Sequence, residues 1–299
     1  MGSSVGVAVA SAEAEVAAAS AAVPAAAAEQ AEAGRKRGVV KMDEKLQGIP
    51  DRERGLIPGF VEALAACHGE GLRSVVLYGS AASGDYRPGH SDLNFLVMIE
   101  PLSAERLRGA TACEKTWKKQ LPINALYVPG DFVRESADVF PIELLDMSQR
   151  HIALHGEDPF KDVEISGANL RLQVEHELKG KLIRLRQSYV RDSQSPASEK
   201  AIIALMLGSL SSFITLFAAM LRLKGLEPPG TQTEVIESAV QEFGLDGDSL
   251  RKVLAAKSRT VTIPPAEAHQ VFGQYLEQIH RAVEVVDEMR VRGWRTDRG

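Results

Sequence analysis

The stretch Ser74 to Glu100, SVVLYGSAASGDYRPGHSDLNFLVMIE, constrains the fold of this chain more than any other. Val75, Val76, Leu77 and Tyr78 make a β-branched and apolar run that stops abruptly at Gly79-Ser80, as a buried strand running into a glycine turn does. Ala81 to Ser83 can open a helical turn, and a polar loop leads to Ser91-Asp92-Leu93-Asn94 and a second strand, Phe95 to Ile99. Side chains alternate across a strand, so Asp92 and Asn94 share one face while Leu93 turns to the core. A glycine that permits close backbone approach, followed by unpaired amide N–H groups and the Ser80 hydroxyl, is suited to seat a phosphate.

A Gly-Ser at a strand end, eleven residues, and then Asp–hydrophobic–carboxylate is the signature of the nucleotidyltransferase superfamily, and this stretch resembles it with Asn94 in the last place. That group includes the aminoglycoside nucleotidyltransferases and DNA polymerase beta. The resemblance covers roughly residues 55 to 160, with Arg150 to Asp158, RHIALHGED, similar to the segment that closes small domains of this type. It implies two carboxylates at alternate strand positions and a third on a later strand, together holding magnesium ions that bind a nucleoside triphosphate and activate a hydroxyl. Here the first position is Asp92, the second is Asn94, and the third, on a strand read over Pro122 to Val128, is Asn124. Neutral amides at two positions imply that Mg²⁺ is held weakly or not at all. Glu143 and Asp146, one segment further on, are the acids that could substitute. The implied nucleotide-binding residues are Gly79, Ser80 and Arg87, with Tyr86 and His90 in the same loop, and Lys179 and Lys181 from a basic helix face that could line the cleft and meet the triphosphate.

With 299 residues the chain is long enough for two domains, and its 44% hydrophobic and 25% charged content is that of an ordinary globular protein. A net charge of −5 argues against nucleic-acid binding through bulk charge. Cys67 and Cys113 form no metal-like spacing and read as reduced core thiols of a cytoplasmic protein. Residues 1–40 are alanine-rich, without the large side chains that would offset ordering entropy, and read as a disordered tail. An amphipathic helix over Lys41 to His68, ended by Gly69, leads to the first strand. Ser103 caps a helix to about Lys119, Gly130-Asp131 opens a short one, and Phe140 to Met147 reads as a fourth strand.

From Asn169 the pattern is helical. Val174, Leu178, Leu182, Leu185 and Tyr189 form an apolar stripe, and Lys179, Lys181, Arg184, Arg186 and Arg191 form a basic face. The aminoglycoside enzymes offer a glutamate base and a lysine four residues on from this helix, and Glu175 with Lys179 or Glu177 with Lys181 has that spacing. The bland alternative is a solvated basic face. Ser195-Pro196 reads as the start of a second helix, ended by Gly225 and Pro228. Ala201 to Leu221 is uncharged and long enough to span a bilayer, but its serines and threonine and its isolation favour the centre of a helical bundle over a membrane. Shorter helices over 231–243 and 247–257 precede a long one from Pro265 to about Arg292.

The expected fold is α+β: a small mixed-sheet domain over 41–165, a helical bundle over 166–293, and a short tail over 294–299. The expected function is nucleoside triphosphate binding with weakened or lost transfer to a small-molecule or protein hydroxyl. The alternative class is a scaffold whose bundle forms a homodimer or docks a partner.

Overall fold

A computed structural model describes residues 46–289 of the chain except His90. The alanine-rich segment 1–40, the short tail from 294 and His90 therefore lie outside the described residues.

Helix α1 (Asp51–His68) ends at Gly69 and feeds strand β1 (Leu72–Tyr78). The four-residue helix α2 (Ser80–Ser83) follows, then β2 (Leu93–Ile99), α3 (Ala104–Trp117) and β3 (Ile123–Val128). The Ser103 hydroxyl caps α3 by accepting from the Arg106 amide at 3.3 Å. After α4 (Phe132–Glu135) and α5 (Pro141–Gln149), β4 (His151–Gly156) completes a four-stranded sheet. Its order is β3-β2-β1-β4. β1 is antiparallel to both neighbours, whereas β2 and β3, joined through α3, are parallel. The sheet is mixed because a helical crossover returns the chain in the same direction and a loop reverses it.

Both faces of the sheet are covered, which is why β1 and β2 read as nearly continuous apolar runs. Val75, Leu77, Phe95 and Val97 pack beneath α1 and α3, where the Phe60 ring meets Phe95 edge-on at 5.0 Å and Trp117 at 6.2 Å. Val76, Leu96, Met98 and Val128 point the other way and join the core of the C-terminal helices. These helices are α6 (Gly167–Asp192), α7 (Ser198–Leu223), α8 (Gln232–Phe243), α9 (Gly247–Lys257) and α10 (Ala268–Glu288). Together they make an α+β fold, a small mixed sheet followed by a helical bundle.

Among the described residues α7 is the one helix long and apolar enough to cross a membrane. In the structure it is the centre of the bundle, in contact with α6, α8, α9 and α10. Its hydroxyls are accommodated locally: Ser212 donates to the Ser209 carbonyl at 2.8 Å and Thr215 to that of Ser211 at 3.2 Å, while Ser209 pairs with the buried Tyr275 hydroxyl at 3.1 Å.

Three expectations change. Phe140 to Met147 is not a strand; Pro141 occupies the first turn of α5, a position where its missing N–H costs nothing. The fourth strand is the next segment, where Ile152 and Leu154 alternate inward. Ser195-Pro196 lies in the turn before α7, with the Ser195 hydroxyl accepting from the Ala197 amide, and the helix begins at Ser198. Cys67 is exposed and Cys113 only half-buried, so neither is a core thiol. Cys67 sits where α1 meets α3, against Gly109.

Candidate functional site

β1 ends at Gly79, whose φ of 75° and ψ of −148° lie in a region open essentially to glycine alone. Its N–H donates to the Arg150 carbonyl at 3.2 Å, which ties the turn to the start of β4. Its carbonyl accepts from Ala82 and Ser83 at 2.9 and 3.1 Å and so winds α2. A side chain at this glycine would meet the Asn94 amide nitrogen at 3.3 Å, a close approach that also favours its absence.

Asn94 lies directly across from Tyr78 on β1 and from Asn124 on β3, and Tyr78 lies across from His151 on β4. One row therefore crosses the whole sheet at the end where β1 stops and β2, β3 and β4 begin. By alternation, Asn94 and Asn124 belong to the sheet face that carries Leu96 and Met98, the face turned toward the C-terminal helices, and Asp92 lies one residue before β2. Asn124 Nδ2 donates to Asn94 Oδ1 at 2.8 Å. Asp92 is exposed at the mouth of β2. Its charge reaches Tyr86, whose phenol is pushed up first by burial and then by the charges of Glu53 and Asp92. The Arg87–Ser91 turn is closed by the Ser91 amide donating to the Arg87 carbonyl at 2.8 Å and by the Arg87 amide donating to the Ser91 hydroxyl at 3.1 Å. The Arg87 side chain is left exposed at the loop surface.

Of the remaining charged residues singled out in the sequence, several hold helices together, while Arg184 and Arg186 are exposed on α6. Glu143 accepts from Gln173 at 2.8 Å, and Asp146 stands 3.5 Å from Arg222, so both acids fasten α5 to the bundle. Lys179 is held by Glu175 and donates to Asp287 at 3.1 Å, on the side of α6 that faces the end of α10. Arg171, on that same side, donates to the Val286 carbonyl at 2.9 Å. Lys181 pairs with Glu177 at 3.5 Å. This second pair continues the stripe of Gln173, which also accepts from the Ile142 amide at 2.8 Å and so faces α5.

Among the described residues no group of three or more His, Cys, Asp or Glu side chains could hold a metal ion. At the three positions where the resemblance implies magnesium ligands there is one carboxylate, and the Asn94 carbonyl oxygen already accepts a hydrogen bond. Magnesium sheds its water reluctantly and demands charge from its ligands, so this donor set does not fit it. Tyr78, at the end of the apolar run, and His151, in the Arg150 to Asp158 segment, complete the row, though the sequence marks neither as a site residue. Their place is fixed by register alone. The opposite end of the sheet carries a separate open cavity of about 870 Å³ that includes Arg73, Glu100, Asp131, Arg134 and Glu157 in its lining.

No protein-family model matches the chain, and no curated protein matches its sequence. Among solved structures it is similar to a spectinomycin adenyltransferase from Enterococcus faecialis, crystallised with ATP and spectinomycin. The TM-score is 0.46 at 12% identity, over 74% of this chain and 97% of that one. A similarity of this size bears on neither ligand nor activity.

Proposed function

We propose that this protein is a nucleotidyltransferase-like protein that binds a nucleoside triphosphate and whose transfer chemistry is weakened or lost. The observation that carries this reading is one row of the sheet. It brings Asn94 against Gly79 on one side and into a 2.8 Å bond with Asn124 on the other, with Asp92 at the same strand end. This is the arrangement that the Gly-Ser and Asp spacing implies for a triphosphate site, with amides at two carboxylate positions.

Transfer to a hydroxyl requires the charge that develops on the reacting phosphate to be stabilised in a fixed geometry. One carboxylate and two amides do not recruit the cations that would provide this. Binding therefore outlasts catalysis, and the acceptor, a small-molecule or protein hydroxyl, is met slowly or not at all.

Calorimetric titration with ATP and the other triphosphates tests the reading, with pyrophosphate release measured alongside. Saturable binding with little release is the expected result. Asn94→Asp combined with Asn124→Glu should raise release at least tenfold if the acids are what transfer lacks, by the arithmetic of about 1.4 kcal/mol per decade. A non-catalytic scaffold is the second reading, favoured by the engagement of Glu143, Asp146 and Lys179 in helix packing. Absence of binding to every triphosphate would select it.

A further inference from the structure

We infer that the site at the head of β2 and β3 works without a divalent cation. The Asn94–Asn124 hydrogen bond takes the structural place of the ion, and the ligand engaged there is a nucleoside phosphate free of metal. The inference rests on the nucleotide reading above for its ligand, but not for its account of the sheet.

Neighbouring strands in a sheet run about 4.8 Å apart, and Asn94 and Asn124 are partners in register on adjacent parallel strands. Two carboxylates at such positions would repel each other by roughly 1–4 kcal/mol, depending on how far water screens them, and would require a cation to coexist. Two amides need none. One offers a donor and the other an acceptor, and Asn124 Nδ2 does donate to Asn94 Oδ1 at 2.8 Å. The same bond takes up one of the two lone pairs of the Asn94 oxygen, the atom that would have to ligate a metal. It also leaves the Asn94 NH₂ group beside Gly79, 3.3 Å from where a Cβ there would lie. A donor group therefore faces the turn.

The acids that could restore a metal site are committed elsewhere, Glu143 to Gln173 and Asp146 to Arg222. Asp92 then has no ion to share with the ligand and acts on a phosphate as a like charge. Neutralising it should tighten binding, whereas at a metal-dependent site the same change would abolish binding.

The experiment has two parts. In calorimetry, ATP should bind in EDTA within about threefold of its affinity in Mg²⁺, and Asp92→Asn should bind ATP as tightly as wild type or tighter by a factor of about three, less than half a decade in Kd. A loss of more than about tenfold in EDTA or in Asp92→Asn would overturn the inference. Thermal unfolding of the unliganded protein is the second part, and it holds whether or not ATP binds. The wild-type midpoint should not move between EDTA and millimolar Mg²⁺ or Mn²⁺. In N94D/N124D, where two acids face each other across adjacent strands, it should fall in EDTA and recover with Mn²⁺. A wild type stabilised by Mn²⁺, or a double variant indifferent to it, would overturn the inference. If the double variant does not fold, Asn94→Asp alone decides, because its carboxylate can still accept from Asn124. It should then fold in EDTA, and a strict need for a divalent ion would count against the amide strut. Failure of ATP to bind in either buffer would remove the nucleotide reading and the ligand named here, leaving the thermal result to decide the strut.

Discussion

At the scale of single residues, two positions make sharp claims. Gly79 holds backbone angles that other residues reach at a cost of about 1–3 kcal/mol, and its α-carbon stands against the Asn94 amide. Gly79→Ala should reduce the unfolding free energy measured by urea titration by an amount in that range and weaken any ligand at the turn. His68 is only 4% exposed, and neither ring nitrogen finds a hydrogen-bond partner among the described residues. Burial first, and then the charge of Arg106, lower its pKa below 6.5. The unfolded chain therefore takes up a proton near pH 6.5 that the folded chain refuses. The stability this group contributes is complete above that pH and is lost as pH falls below it toward the folded value. Thermal midpoints measured between about pH 7.5 and 5.5 should fall less steeply in His68→Leu than in wild type. Parallel slopes would show that other groups carry the pH dependence.

At the scale of elements, the joint between β1 and β4 and the axis of the bundle are the points where substitution should be most costly. Gly156 has a φ of 72°, and a Cβ there would fall 1.9 Å from the Arg73 carbonyl oxygen. Nearby, the Ser74 hydroxyl donates to the carbonyls of Glu157 and His155 at 2.9 and 3.3 Å. Gly156→Ala should cost more than about 2 kcal/mol, through both strain and overlap, with hydrogen exchange accelerated first in β4. In α7, Phe217 is fully buried, and Phe217→Ala should cost about 3–5 kcal/mol as a large-to-small core change, read as a drop in unfolding midpoint. Elements with their own punctuation were legible in the sequence: Ser103 announces α3, and Gly69 stops α1. The segment over Phe140 to Met147 was misread because a short apolar run fits a strand or a helix equally, and its proline is what decides.

At the scale of the whole molecule, sheet and bundle are one packed body joined through α5. Arg222, 7% exposed near the end of α7, donates to Gln149 at 2.6 Å and lies 3.5 Å from Asp146. The next residue after Gln149, Arg150, lends its carbonyl to the Gly79 amide. A continuous set of contacts thus runs from the bundle to the candidate site. Burial lowers the pKa of Arg222, the price of placing a guanidinium in the interior, and Asp146 offsets part of it. Asp146 keeps 55% of its side-chain surface in water and so is not stranded if the arginine is removed. Arg222→Met, which keeps the volume, should therefore cost less than the roughly 3–5 kcal/mol of breaking a fully buried pair. Arg222→Ala should cost more than Arg222→Met in the same urea titration, because it also removes the packing of the stem.

The sequence by itself determined the order of most elements, the turn at Gly79, and the apolar helix that became the bundle axis. Each of these is written in near neighbours: alternation by two, recurrence by three or four, a cap, a glycine. Only the tertiary structure decided that Asn94 bonds Asn124 rather than standing open, that Lys179 is engaged by Asp287, and that Glu143 and Asp146 hold α5 instead of completing a metal site. Those outcomes depend on strand register and on the azimuth at which one helix meets another. Both are set by how distant surfaces pack, and no local periodicity records them.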